Sequence, residues 1–156
     1  MTEPQELDPI DLKMLRLLQN DGRISNAALA EKVGASPATC HRRTQRLFDE
    51  GYIKAVRAMV VPAKVNRGTM ILVGVELDRS TPDSFRQFEA SVAKLPFVLD
   101  CHLVAGDFDY FLKIRVDELA AFNRIHAGQL ISLPGVLHTR TFFVMKEVVD
   151  SAPLEF

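Results

Sequence analysis

Three arginines crowd one short stretch, "SPATCHRRTQRLFDEG" at residues 36–51. A guanidinium presents a fixed fork of donors that fits a guanine edge or a phosphate. Two cysteines each precede a histidine, Cys40-His41 and Cys101-His102. Both residue types are transition-metal ligands. A third cluster, "GDFDY" at residues 106–110, carries Asp107 and Asp109. Two carboxylates in one loop invite an acid–base reading.

Spacing weighs against two of these three chemistries. Adjacent residues point about 100° apart on a helix and to opposite faces of a strand, so neither Cys-His pair closes easily on one ion. No CxxC or HxxxH spacing supports them, and packing of the cysteines is the plain alternative. No metal is expected. The carboxylates sit where a hairpin turn favours Gly and Asp for backbone reasons. The sequence contains no evident nucleophile–base set and no phosphate-binding glycine loop, so neither an enzyme nor a cofactor is expected.

The arginines remain, and local elements must aim them. "LDPIDLKMLRLLQNDG" reads as a first helix with Asp8 as N-cap and Pro9 at the first helical position. Asp11 lies in the favourable end of its dipole, and Ile10, Met14, Leu17 and Leu18 form its buried stripe. "SNAALAEKVG" is a second helix, capped by Ser25 and ended by Gly34, with Ala28, Leu29 and Val33 inward. The arginine stretch opens a third helix at Ser36-Pro37 and stops at Gly51.

On a helical wheel Cys40, Thr44 and Leu47 share a buried face. Ala38, Arg42, Gln45 and Arg46 lie roughly opposite, flanked by Thr39 and His41, with Arg43 on the border. A short helix, a glycine turn and a capped helix with an arginine face make a helix-turn-helix. Arg42 and Arg46 are expected to reach base edges, and Arg43 to hold a phosphate or an internal carboxylate. The bland alternative is a solvated cationic face. "YIKAVRAMVVP" follows, with Lys54 and Arg57, as a wing hairpin or a strand leading away. Charge favours DNA: residues 36–67 hold 7 Lys/Arg against 2 Asp/Glu, whereas residues 68–156 hold 8 against 12. The polar start "MTEPQELDP" and the lack of a long apolar run suggest a cytoplasmic chain without a membrane span.

The 156 residues suit one large domain or two small ones. The expected division is 1–52 for DNA binding, 53–67 as wing or linker strand, and 68–156 as an effector-binding and oligomerisation domain. Residues 68–156 alternate β, α, β, β, α, β. Strand one is "MILVGVEL", apolar on both faces and therefore central. The next helix starts at Thr81-Pro82 and buries Phe85, Phe88, Val92 and Leu95. The second helix runs from about Asp117, burying Leu119, Phe122, Ile125 and Leu130; the last strand is "VLHTRTFFVMKEVV". Pairing Ala105 with Tyr110 sets Leu103 against Leu112, Cys101 against Ile114, His102 against Lys113 and Asp100 against Arg115. The fold class is α+β: a winged helix-turn-helix followed by a ferredoxin-like βαββαβ sandwich with a four-stranded antiparallel sheet. Its second sheet face is mixed and suits a second subunit.

With "LPFVLDCHLVAGDFDYFLKIRV" and "LPGVLHTRTFFVMKEV" following that front end, the chain resembles the leucine-responsive regulatory protein/AsnC (feast/famine) family of transcriptional regulators. The resemblance covers essentially the whole chain. It implies double-stranded DNA read as an imperfect palindrome, dimers that pair sheets back to back, and further assembly, commonly to octamers. It also implies a small effector, typically an amino acid. The DNA contacts expected from the helical wheel and local charge are Ser36, Ala38, Thr39, His41, Arg42, Arg43, Gln45 and Arg46, with Lys54 and Arg57 beside the phosphates. The effector contacts implied are Leu103, Val104, Ala105, Gly106, Asp107, Asp109 and Tyr110, with Thr139, Thr141, Phe142, Phe143 and Val144. There Asp109 is expected to accept from an α-ammonium group, while turn N–H groups and Thr139 or Thr141 hold the α-carboxylate. Two rivals stand beside the ligand-responsive regulator: an architectural DNA-binding protein whose second domain only oligomerises, and a small dimeric ferredoxin-like enzyme.

Overall fold

Asp8 and Asp11 start the first helix together. Asp8 Oδ1 accepts from the Asp11 N–H at 2.8 Å, and Asp11 Oδ2 accepts from the Asp8 N–H at 3.2 Å, a reciprocal capping box. This fixes the start of α1, Pro9–Asn20. In this computed structural model, which describes residues 6–156, α2 is Asn26–Val33 and α3 is Pro37–Asp49. Ser25 and Ser36 cap them as expected, each accepting from a backbone N–H three residues on. Met14, Leu29, Ala30, Cys40 and Leu47 are buried and form the core of this helical unit. Residues 1–5, within the polar start and the expected first domain, lie outside the described residues.

Residues 53–61 form no hairpin. The segment is irregular and ends in a 3₁₀ turn at Pro62–Val65, so the expected wing strand is absent here. Ile53 N–H bonds the Leu47 carbonyl at 3.0 Å, which bends the chain back along the helices. The chain divides into two compact units, one of residues up to 59 together with 149–156, the other of residues 60–148. By its contacts the stretch 149–156 packs with the helical unit.

The second unit holds β1 (Thr69–Leu77), α4 (Pro82–Val92), β2 (Val98–Leu103), β3 (Tyr110–Val116), α5 (Leu119–Ile125) and β4 (Val136–Phe143). The sheet order is β2-β3-β1-β4, all antiparallel, which puts the doubly apolar β1 in the interior as expected. Ile71, Val73, Val75, Tyr110, Leu112 and Ile114 turn toward the helices and are buried with Phe88, Val92, Phe122 and Leu130. Leu119, expected inside, is 52 % exposed, because α5 begins only there and its first turn overhangs the core. After Ile125 the helix widens into one π turn, His126–Leu130.

The β2–β3 register differs from expectation. Leu103 pairs with Tyr110, Cys101 with Leu112 and Asp100 with Lys113. The turn keeps its length but slides back by one residue, since the Val104 N–H bonds the Asp109 carbonyl at 2.9 Å. The shift is even, so every side chain keeps its expected face. Opposite charges still meet: Lys113 lies 3.3 Å from Asp100, and Arg115 pairs with Glu147 at 2.6 Å instead.

Candidate DNA interface and effector unit

Helix α3 divides its arginines between two duties. Arg43 Nη1 donates to Asp8 at 2.7 Å and to Asp11 at 2.8 Å. Arg46 Nη2 donates to the other oxygen of Asp11 at 2.5 Å. Asp11 is 1 % exposed, so one buried carboxylate answers two guanidinium groups. The Asp11 N–H and then the Arg43 guanidinium hold the Asp8 carboxyl below the usual carboxylate range. The Asp11 and Asp8 carboxylates in turn raise the Arg43 guanidinium above its ordinary value.

This corrects the placement of Arg46. Expected on the outward face with Arg42, its side chain is only 17 % exposed and turns in toward α1. A 13-residue helix lets a long side chain on the flank reach back across the groove to a buried opposite charge. For Arg43 the internal-carboxylate alternative is the one the geometry takes. Ala38, His41, Arg42 and Gln45 stay exposed, and Gln45 bonds Asp49 at 3.0 Å. Ser36 and Thr39 are joined by the N-cap, with their hydroxyls 2.9 Å apart. Lys54 and Arg57 are exposed on the irregular segment.

In the second unit the expected effector residues separate onto two faces. Thr139, Thr141 and Phe143 pair with Val75, Val73 and Ile71, so they share the helix-side face with Tyr110. Thr139 Oγ1 lies 2.9 Å from His126 Nε2, and the Phe143 ring packs edge-on against Phe122. Tyr110 is 1 % exposed and donates its hydroxyl to Glu89 at 2.8 Å. Burial first, then that bond, pushes its phenol pKa up. Phe142 lies on the other face, with Phe108 and Phe111 ring centroids 6.3 and 6.2 Å away. Val144, just past β4, bonds through its N–H to the Met70 carbonyl.

Asp109 already accepts within the chain, so an ammonium group at this carboxylate would share it with the turn. Its Oδ2 accepts from the Leu77 N–H at 2.8 Å and its Oδ1 from the Ser80 hydroxyl at 3.2 Å, while its own N–H bonds the Val75 carbonyl. The carboxylate thus pins the turn to the end of β1. Leu103, Ala105, Gly106 and Asp107 are exposed, with Val104 partly so. Gly106 has φ +146°, a conformation that disfavours a side chain, and a Cβ there would meet nothing within 4 Å.

Residues 70–154 match the Lrp/AsnC ligand binding domain, and residues 7–54 match a winged helix-turn-helix DNA-binding family. The chain belongs to the Lrp/AsnC family of transcriptional regulators. The leucine-responsive regulatory proteins of Salmonella typhimurium and of Escherichia coli strain K12 are each 44 % identical to it over 147 residues, covering 94 % of this chain and 90 % of theirs. A transcriptional regulator of Neisseria meningitidis, solved as a complex with L-methionine, superposes with TM-score 0.90 at 35 % identity, covering 96 % of this chain and 97 % of that one. An AsnC-family regulator from Agrobacterium tumefaciens gives 0.89 at 29 % identity, with the same coverage.

This Lrp/AsnC chain is accordingly a DNA-binding transcriptional regulator, in a family of regulators and not of enzymes. Among its described residues no helix is long and apolar enough to cross a membrane. Two structural residues are not singled out by the sequence expectations. Asp11 reads as a dipole partner only, although the spacing Asp8-x-x-Asp11 signals a capping box whose oxygens remain available to cations. Phe108 stands between two aspartates. It lies against Gly74, where any Cβ would come within 2.8 Å of its ring, and Arg140 stacks 5.7 Å from its centroid. A glycine inside an otherwise apolar strand was the available signal for such a close approach.

Proposed function

We propose that α3 enters the major groove of double-stranded DNA and reads bases with Arg42, Gln45 and His41, while Ala38 and the Ser36–Thr39 cap approach the backbone. The observation that carries this is the clamp behind the helix. Asp8 and Asp11 hold Arg43 and Arg46 inward, so the exposed face left for bases is led by Arg42. Lys54 and Arg57 add phosphate attraction. The reader works as a dimer on an imperfect palindrome, formed through the sheet face that the chain's own helices leave open. Leu72, Phe111 and Phe142 on that face are only partly covered, and Phe142 is 40 % exposed. Dimers associate further, to octamers in our reading, and the protein acts in the cytoplasm.

The second unit takes an amino acid as effector. The L-methionine complex of the Neisseria meningitidis regulator supports this ligand class. The exposed loop 103–107, with its unobstructed Gly106, is our choice for the contact, together with the strand at 139–144. Thermal-shift screening against the twenty amino acids tests it: a ligand that binds only the folded state raises the melting point. Binding assays on DNA at graded salt, with and without each hit, complete the test. Hits that stabilise the protein and change its DNA affinity support the reading. If no amino acid shifts either quantity, the architectural alternative replaces it.

A further inference from the structure

The helical unit contains a second peptide segment, and the way it is held is specific. Gln19 on α1 donates its amide to the Leu154 carbonyl at 3.1 Å and accepts the Leu154 N–H at 2.8 Å. The side-chain amide thus engages both main-chain groups of one residue, as a neighbouring strand would. One turn earlier, Arg16 Nε donates to the main-chain oxygen of Phe156 at 2.7 Å, Nη2 bonds the same atom, and the guanidinium stacks 5.4 Å from the Phe156 ring centroid. Residues i and i+3 of a helix lie about 5–6 Å apart, and alternate residues of an extended chain about 6.6 Å apart. Arg16 and Gln19 therefore match Phe156 and Leu154 in spacing.

The segment's own sequence prepares it for this role. Ser151 takes φ +48° and bends the chain, its hydroxyl bonding Asp150 at 3.0 Å. Ala152 precedes Pro153, which biases it toward extended backbone and fixes the approach to Leu154. Beside the segment lies an open groove of about 840 Å³, walled by Leu15 and Leu18 of α1, by Ile53 and Val56 of the irregular segment, and by Leu154 and Phe156 themselves. Lys54 and Arg57 line it too. The chain passes between its two units at 59–60 and again at 148–149, and the stretch beside each passage lines this one groove.

We propose that the outer face of α1 is a peptide-docking surface whose occupant is residues 149–156 of this chain, and that the docked segment is a releasable strap on the helical unit. Its hold is light: Leu154 remains 74 % exposed and its hydrogen bonds face solvent. Such contacts place it at the low-stability end of the molecule, where local opening precedes global unfolding. Docking keeps the DNA-binding unit joined by two passages, and release leaves one.

The test uses the full-length protein, the double variant Arg16→Ala/Gln19→Ala, and the single variant Gln19→Ala. Both positions are exposed on α1, outside its buried stripe, so circular dichroism should show the helices intact. Hydrogen exchange at the Leu154 amide should be slowed by about tenfold in the parent relative to a free peptide of residues 149–156, and the protection should vanish in both variants. Exchange of Leu154 at the free-peptide rate in the parent overturns the proposal. So does equal protection in parent and variants. The readout involves neither DNA nor an effector, so the outcome is independent of the regulator reading above.

Discussion

Asp11 and Asp109 are both carboxylates near the start or end of an element, and each fixes chain at least 29 residues away. Asp11 answers charge with charge, holding Arg43 and Arg46 across 32 and 35 residues. Asp109 answers a backbone dipole and a hydroxyl, holding Leu77 and Ser80 across 32 and 29 residues. Asp11 is buried, whereas Asp109 is half-buried. The difference shows two ways of anchoring a functional surface. In the helical unit, ionic anchoring removes two of three arginines from the reading face and stiffens the helix that carries the third. In the sheet unit, backbone anchoring leaves a loop exposed while fixing its two ends.

Removing the buried carboxylate should have the largest effect. Asp11→Ala leaves Arg43 and Arg46 without their shared partner, and breaking a buried pair from one side costs about 3–5 kcal/mol. Both guanidinium groups keep some exposure, so we expect about 3 kcal/mol. Urea unfolding of the full chain, with the helical unit followed by exchange of the α1–α3 amides, measures it. A change under about 1 kcal/mol would mean that solvent replaces the clamp at little loss.

Arg42 is the counterpart that the clamp leaves outside. Arg42→Ala should leave stability within about 0.5 kcal/mol. It should lower discrimination at one base position by about 1–3 kcal/mol, read from selection of binding sites by parent and variant. An unchanged selected motif would remove Arg42 from base reading and shift that role to His41 and Gln45.

Asp109→Ala tests the other anchor. The Leu77 N–H loses its acceptor near the end of a buried strand, and we expect a loss of about 1–2 kcal/mol. Asp109→Asn retains one acceptor oxygen and should lose less. Added salt should weaken the clamp's contribution more than this one, because only the clamp is an ion pair.

These contrasts explain what could be read from the chain unaided. The caps at Asp8, Ser25 and Ser36 and the stripe of Cys40 and Leu47 are local, and periodicity and capping rules reach them directly. The βαββαβ order and the interior position of β1 also follow from apolar patterning. The partners of Arg46 and Asp109 do not, since a helical wheel orders directions about one axis and says nothing of a neighbouring helix's charge. The β2–β3 pairing shifted by two residues for a related reason: cross-strand charge pairing fits both registers, and only the Asp109 and Phe108 contacts with β1 choose between them. Residues 53–61 carry strand-forming types, yet their contacts with the helices override that propensity.

The smallest expected effect lies in acid, at Asp8, the exposed member of the clamp. The folded-state pKa of Asp8 is depressed, first by the Asp11 N–H and second by Arg43. A depressed carboxyl stabilises the folded chain fully above its unfolded value, about 3.9, and this contribution fades as pH falls through the lower folded value. Asp8→Asn keeps an oxygen that can accept the capping bond but removes the titrating charge. Parent and variant should therefore differ by a constant amount near neutral pH and converge as pH drops below about 4. Stability of the helical unit, followed from pH 7 downward by α1–α3 amide exchange, reads this directly. A gap that persists unchanged to the lowest accessible pH would mean that the Asp8 contribution is the cap geometry alone, with Arg43 held by Asp11 unaided.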